Sequence, residues 1–199
     1  ISAQLGHHII AKALAEAQAW PPALADLRLS VNVTAADLAA DRFEESLIEQ
    51  IGASGFSASR LTVEVTEGDL IDDLARASAM LAVLRKRGLR IAIDDFGTGY
   101  SSLAYLKALP LDYMKLDRSL IVDLDGSARD QVVVHAVIDM ARSLGLAVIA
   151  EGVETGSQLD MLARAGCNIF QGFLAAPPLS AAQLVAFAET RRSRAAAAA

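Results

Sequence analysis

The sequence has 199 residues, 53% of them hydrophobic and 21% charged, which suits one compact domain with a buried core. Its formal charge of −6, without a basic stripe that carries aromatic residues, argues against binding to DNA. The single cysteine, Cys167, excludes an internal disulfide and fits a reducing cytoplasm, and no run of about eighteen apolar residues predicts insertion into a membrane.

Strand and helix patterns alternate along the chain after a first helical segment, 1–20. Alternation with a period of two predicts strands at 27–33, 61–67, 91–95, 113–117, 147–151 and 168–172. Helical spacing of apolar residues predicts helices at 43–51, 70–87, 131–144 and 155–165. This order predicts an α/β fold in which helices connect parallel strands.

Each predicted strand ends on a polar side chain that lies opposite the apolar face of the strand. In chain order these side chains are Asn32, Glu64, Asp94 with Asp95, Lys115, Glu151 and Gln171. Polar residues at the C-terminal ends of many strands are typical of the active face of a TIM (β/α)8 barrel, whereas a doubly wound sheet places its site at one crevice. That barrel has eight strands in about 250 residues. Six strands therefore predict a TIM barrel with the first strands missing from this chain.

The segment 91–100 is the most informative one, because an apolar strand ends there on two adjacent carboxylates before a glycine-containing loop. Neighbouring strand residues point to opposite faces, so we expect the strand to fray into a loop where Asp94 and Asp95 share a cation. With Glu64 and Glu151 close by, the carboxylates would repel one another unless divalent cations were bound. Oxygen ligands favour Mg2+ or Mn2+, and one carboxylate can bridge two ions.

Two simpler interpretations remain open at this point. Taken alone, the two aspartates suit an acidic turn in which glycine supplies a positive φ. The second concerns Lys115. In a metal site this lysine would orient or deprotonate a water that attacks phosphorus, or neutralise the charge that develops there. Taken alone, it suits a structural ion pair with one of the acids.

The motifs together resemble the EAL-domain family of cyclic di-GMP phosphodiesterases. The resemblance rests on the run DDFGTGYSSL at 94–103 and on the segments 31–33, 64–67, 115–117, 150–155 and 171–173. It implies a modified TIM barrel that hydrolyses cyclic di-GMP to linear pGpG in bacterial second-messenger signalling. It also implies two Mg2+ or Mn2+ ions as cofactors and inhibition by Ca2+.

The same resemblance implies a role for each matching residue. The metal ligands would be Asn32, Glu64, Asp94, Asp95 and Glu151. The catalytic residues would be Lys115, Glu151 and Asp95, and the substrate-binding residues would be Gln171, Glu154 and Asp117. The loop 96–103 would connect the metal site to a dimer interface, and its controlling residues would be Glu67, Phe96, Gly97, Thr98 and Gly99. We expect Glu67 to anchor this loop through groups at 98–102.

The implied partners are cyclic di-GMP, a second copy of the chain bound through the region near the DDFGTG loop, and sensory or GGDEF-type domains in a parent protein. The implied location is the cytoplasm, either free or as the cytoplasmic domain of a membrane-anchored protein. We assign residues 1–190 to the phosphodiesterase domain and 191–199 to a low-complexity tail.

Two departures from the family pattern qualify these expectations. The Glu-Ala-Leu motif, which would supply a further metal-ligating Glu and a substrate-contacting Arg, is absent, so we expect the chain as given to hydrolyse cyclic di-GMP slowly or not at all. Pro177 and Pro178 replace a stretch near the guanine. Two alternatives to a phosphodiesterase remain. One is a catalytically inactive cyclic di-GMP receptor, and a more distant one is an enolising enzyme with one metal and a lysine base.

Overall fold

The computed structural model describes residues 3–70, 73–98 and 103–197. The helices are α1 Ala3–Gln18, α2 Ala35–Ala39, α3 Phe43–Ser54, α4 Leu74–Lys86, α5 Leu103–Ala108, α6 Ala128–Ser143, α7 Gly156–Arg164 and α8 Ala181–Ala197. The strands are β1 Leu29–Asn32, β2 Leu61–Thr66, β3 Arg90–Phe96, β4 Tyr113–Leu116, β5 Ala147–Ala150 and β6 Ile169–Phe170. Within these ranges no helix combines the length and the apolar character that a membrane crossing requires.

The six strands form one parallel sheet in chain order, β1 to β6, which confirms the predicted alternation of strands and helices. The guanidinium of Arg28, just before β1, donates a hydrogen bond to the hydroxyl of Tyr113 on β4. In a flat sheet these two strands would lie about 14 Å apart. The contact therefore reflects the curl of the sheet, which forms an α/β half-barrel.

Strands β1 and β6 are the edges of this sheet in the described part of the chain. On β1 the outward-facing Val31 is buried, whereas Ser30 and Asn32, on the concave face, are exposed. Ile169 on β6 is also exposed. By contrast, every residue of β2 from Leu61 to Val65 is buried. The inner face is thus covered in the middle of the sheet and open at both edges.

The core lies between the convex side of the sheet and the surrounding helices. Several helices bury residues spaced three or four apart, as an amphipathic helix does. Buried pairs of this kind are Leu47 and Ile51 on α3, Leu81 and Leu84 on α4, and Val134 and Ile138 on α6. They pack in one cluster with the outward-facing residues of the strands. The helices are therefore fixed to the sheet from outside, which leaves the concave face for polar side chains.

Local signals explain where several elements begin and end. Helix α4 begins after Asp73, whose side chain caps the N–H of Arg76, and not at residue 70 as predicted. Strand β6 ends at Phe170, earlier than predicted, and Gly172 beyond it packs so closely against the backbone of Val153 that no side chain would fit there. Helix α8 continues across the domain boundary predicted between residues 190 and 191. That boundary stays a prediction.

Candidate metal centre

A bulge in β3 turns two adjacent carboxylates towards one site. The pairing of β3 with β4 shifts register between Ile93 and Phe96, and Asp95 has a φ of 54°, in the left-handed region that aspartate tolerates. The prediction that the strand frays at Asp94 was wrong, since Phe96 still pairs with Leu116 and is buried. Because the bulge interrupts the alternation of faces, Asp94 and Asp95 can serve the same site without the strand ending.

Three carboxylates meet at the C-terminal ends of β3 and β5. Asp94, Asp95 and Glu151 each offer one oxygen, and these oxygens lie within 4.8 Å of one another. Asp94 is buried, Glu151 is half-buried and Asp95 is exposed, so the site opens to solvent on one side. The N–H of Glu151 donates to the carbonyl of Leu116 at 3.0 Å, which fixes the backbone beside β4. Oxygen-only donor sets of this kind suit Mg2+ or Mn2+.

Lys115 occupies the centre of the acidic group. Its Nζ lies 2.7 Å from Glu64 Oε2, 2.7 Å from Glu151 Oε1 and 2.9 Å from Asp94 Oδ1. Lys115 and Glu64 are both buried. The ion pair that the sequence left open as an alternative is therefore present, but with three acids instead of one. With Asp95, the described residues bring four carboxylates to a single ammonium group.

The balance of charges decides the protonation of these groups. Burial alone would lower the pKa of Lys115, but its hydrogen bonds to Glu151, Glu64 and Asp94 outweigh burial and raise that pKa, so the ammonium persists at neutral pH. Burial raises the pKa of Asp95, and the charges of Asp94 and Asp117 raise it further. Burial also raises the pKa of Glu151, against the opposing effect of Lys115. The acids thus retain unneutralised negative charge, which a cation would relieve.

The remaining predicted residues lie around this centre. Asn32 is exposed at the end of β1 and pairs in register with Glu64. Gln171, exposed, follows β6. The carboxylate of Asp117 accepts from the N–H of Ser119 at 2.9 Å, and this bond outweighs burial and lowers the pKa of Asp117. All of them lie at the C-terminal ends of strands, as predicted.

The loop after β3 packs against the turn after β4. Gly97 has a φ of 110°, which favours glycine, and a Cβ added there would meet the side chain of Leu120. The hydroxyl of Thr98 donates to the carbonyl of Asp95 at 3.0 Å. Glu67 is half-buried just past β2. Gly99 and most of the range predicted to bind Glu67 lie outside the described residues, so that anchoring role stays a prediction.

Sequence reasoning missed two charged residues beside the site. Asp69 accepts from the N–H of Ala35 at 2.7 Å and from the N–H of Thr66 at 3.1 Å, so it joins the ends of β1 and β2. Arg118 pairs with Glu154 at 2.8 Å. The spacing of Thr66 and Asp69 suits a side-chain cap and could have identified Asp69. No local pattern identifies Arg118.

Comparison with known proteins agrees with this geometry. The family described as EAL domain matches residues 1–178. Cyclic di-GMP phosphodiesterase NbdA of Pseudomonas aeruginosa is 43% identical over 166 residues, which are 83% of this chain and 21% of that protein. The bifunctional diguanylate cyclase/cyclic di-GMP phosphodiesterase MucR of the same organism is 38% identical over 92% of this chain and 27% of that protein. The chain thus spans less than a third of these two curated relatives.

A solved structure supports the likeness in fold and bears on metals. The manganese/cyclic di-GMP complex of Klebsiella pneumoniae BlrP1 at pH 9.0 superposes with a TM-score of 0.79 and 33% identity, over 86% of this chain and 44% of that one.

Proposed function

Since the chain belongs to the EAL domain family, we propose that it hydrolyses cyclic di-GMP to linear pGpG in a metal-dependent reaction. The observation that carries this proposal is the convergence of Asp94, Asp95 and Glu151, whose oxygens lie within 4.8 Å of one another at the open end of the strands. The names of NbdA and MucR and the metal-bound BlrP1 complex support it.

The residues present fit a site for Mg2+ or Mn2+, and we assign Asp94, Asp95 and Glu151 as its ligands, with Glu64 and Asn32 completing the set. The donors are oxygens: three carboxylates contact the ammonium of Lys115, and Asp95 lies beside Asp94 and Glu151. A two-ion site would suit adjacent aspartates, because one carboxylate can bridge two ions. When bound, these ions lower the pKa of a coordinated water and stabilise negative charge at phosphorus.

Lys115 acts in this proposal as a hydrogen-bond donor and a positive charge, not as a base. Its contacts with Glu64, Asp94 and Glu151 keep it protonated. A protonated lysine orients the attacking water by donating a hydrogen bond to the water oxygen, and it balances the charge on the phosphoryl oxygens. Because the three acids hold the ammonium from different strands, its position is set before substrate arrives.

Substrate contacts fall to residues on the rim of the site. We assign Gln171, Asp117 and Glu154 to binding cyclic di-GMP. Gln171 is exposed beside an open groove of about 740 Å3 that contains Phe170 and Phe173. Aromatic side chains and an amide are suited to stacking on and hydrogen-bonding a purine base. The apolar aromatic wall and the acidic centre would then recognise different parts of one dinucleotide.

We also assign the protein to the cytoplasm and infer that it forms a homodimer near the loop after β3. Leu120 contacts Gly97 of that loop, and Val122 next to it is exposed. Val132 and Val133 on α6 are exposed as well, and exposed apolar side chains suit a contact between two copies. Cyclase or sensory domains are the expected partners in a longer protein, as the bifunctional MucR suggests.

The test measures conversion of cyclic di-GMP to pGpG by chromatography as Mn2+ is titrated into the protein, with calorimetry of Mn2+ binding in parallel. Because the Glu-Ala-Leu motif is absent, we expect slow turnover that EDTA abolishes and added Mn2+ restores. Asp139→Asn, on the exposed face of α6, is the control that should leave both readouts unchanged. Binding of cyclic di-GMP without turnover in saturating Mn2+ would instead identify a receptor. Absence of both would contradict the proposal.

A further inference from the structure

A buried glutamine connects two of the segments that carry the acidic centre. Gln158 lies in the first turn of α7 and is 4% exposed. Its Oε1 accepts hydrogen bonds from the N–H of Glu154 at 2.8 Å and of Thr155 at 3.0 Å. Its Nε2 donates to the carbonyl of Ile121 at 3.2 Å. Both ends of the amide are therefore used, one on each segment.

The segments joined in this way are 151–155, after β5, and 117–125, after β4. Two further contacts bridge them. Arg118 pairs with Glu154, and the hydroxyl of Thr155 donates to Asp125 Oδ2 at 2.8 Å. The ion pair is largely exposed and is worth little on its own. Of these three connections, the amide of Gln158 is the buried one.

Backbone hydrogen bonds hold the first part of the segment 151–155, and Gln158 holds its last two residues. The N–H of Glu151 donates to Leu116 at 3.0 Å, and that of Val153 donates to Gln171 at 3.1 Å. The next two N–H groups, those of Glu154 and Thr155, bond to Gln158 Oε1. Between these anchors Gly152 has a φ of 68°, a sharp turn directly after Glu151. Loss of the last anchor would leave this turn held on its C-terminal side by the bonds of Val153 alone, which would weaken the control over the direction of the Glu151 carboxylate.

We propose that Gln158 is a positioning residue that sets the direction of the Glu151 carboxylate through its bonds to Glu154 and Thr155, and so tunes metal affinity. This inference rests on the proposed function, because it takes Glu151 as a metal ligand. Groups that orient ligands from behind typically change metal affinity by about tenfold or more when they are removed. The hydrogen bonds of Gln158 go to residues 154, 155, 121 and 122 and not to the acidic cluster, so its effect passes through the backbone.

The experiment compares three variants by calorimetry of Mn2+ binding, thermal unfolding and amide hydrogen exchange. Gln158→Met removes the acceptor and the donor at similar volume. Gln158→Glu keeps an acceptor for Glu154 and Thr155 but opposes the carbonyl of Ile121. Gln131→Met is the matched control, since Gln131 Nε2 donates to Leu124 in the same turn at 3.0 Å without reaching 151–155.

We expect Gln158→Met to weaken Mn2+ binding about tenfold and to speed exchange at Glu154 and Thr155. Gln158→Glu should unfold at a lower temperature yet bind Mn2+ within about twofold of the wild type, because its acceptor is retained. Gln131→Met should bind Mn2+ normally. Equal affinity in Gln158→Met and Gln131→Met would overturn the inference, and so would an affinity that merely follows the unfolding temperature in all variants.

The outcomes also separate this inference from the proposed function. If the wild type bound no Mn2+, the assignment of the metal centre would fail. Hydrogen exchange would then decide the inference by itself, and unchanged exchange at Glu154 and Thr155 in Gln158→Met would overturn it.

Discussion

Two clusters of charged side chains lie at opposite ends of the strands, and their charges are balanced in opposite ways. At the N-terminal ends, Asp112 accepts from the N–H of Ile91 at 3.0 Å and pairs with Arg85 at 3.1 Å and Arg90 at 2.8 Å. At the C-terminal ends, Lys115 is the single ammonium group among four carboxylates in the described part of the chain. One carboxylate with two cations thus contrasts with one cation among several carboxylates.

The two clusters also shift pKa values in opposite directions. Burial alone would raise the pKa of Asp112, but the bonds from Ile91, Arg85 and Arg90 outweigh burial and lower it. The pKa values of Asp95 and Glu151 are raised. The first cluster therefore stabilises the fold through its charges, whereas the second keeps a repulsion that a bound cation would remove. In barrel folds the N-terminal ends of strands generally serve stability and the C-terminal ends serve chemistry.

The largest expected effect is on turnover, from removal of a charge at the C-terminal cluster. Glu64→Gln or Asp94→Asn should lower the rate of cyclic di-GMP hydrolysis by about 100-fold or more, because a charge that binds metal and stabilises the reacting groups is lost. The folded state should be retained, since the cluster has excess negative charge. Steady-state kinetics and thermal unfolding measure both effects.

Glu49→Gln, on the exposed face of α3, is the matched control and should leave turnover unchanged. A loss of less than about tenfold in both variants would contradict the assignment of Glu64 and Asp94 to the metal centre. Unfolding of either variant at room temperature would mean that the C-terminal cluster also serves the fold, and the contrast between the two clusters would disappear.

At the N-terminal cluster the same kind of substitution should act on stability alone. Asp112→Asn keeps an acceptor for Ile91 but sets an uncharged amide against two guanidinium groups, so we expect a loss of about 2 kcal/mol in the free energy of unfolding. That loss corresponds to a midpoint about 4–8 °C lower. Mn2+ affinity should stay unchanged, and a change in affinity comparable to that of Glu64→Gln would contradict the division between the clusters.

The pH dependence of this variant isolates the charge. Because the folded-state pKa of Asp112 is lowered, its stabilisation is complete above the unfolded pKa, about 3.9, and is lost as the pH falls through the folded value. The difference between the wild type and Asp112→Asn in urea unfolding should therefore be constant near neutral pH and shrink below about pH 4. A constant difference down to pH 2 would point to lost packing instead.

The order of strands and the residues at their ends could be predicted from the sequence, because both follow from local periodicity. Glu64, Asp94 and Lys115 end strands on the face opposite the apolar residues, and parallel strands bring such positions together. These features need only the period of the pattern and the rule for parallel connections.

The parts that were missed depend on contacts between distant segments. The bulge that lets Asp95 join Asp94 arises from the register between β3 and β4, which no single strand pattern contains. The clamp on Asp112 brings together residues from α4, β3 and the start of β4. The sequence could have identified Gln158 as the third helical residue of a capping box with Thr155. It could not have predicted the hydrogen bond from Gln158 to Ile121.

The smallest expected effect is a gain in stability from Asp95→Asn without metal. Asp95 lies beside Asp94 and Asp117, which raise its pKa, and it has a left-handed φ that asparagine adopts readily. We expect the free energy of unfolding in EDTA to rise by less than about 1 kcal/mol, since Asp95 is exposed and solvent screens its charge. Mn2+ should reverse the order of the two stabilities, because binding at 100 times Kd adds about 2.7 kcal/mol to the wild type and much less to the variant.

Urea unfolding with EDTA and with Mn2+ tests both parts, with Asp139→Asn as the control that should match the wild type in each. A variant that is less stable than the wild type in EDTA would mean that the carboxylate of Asp95 supports the fold, as Asp112 does at the other end of the strands.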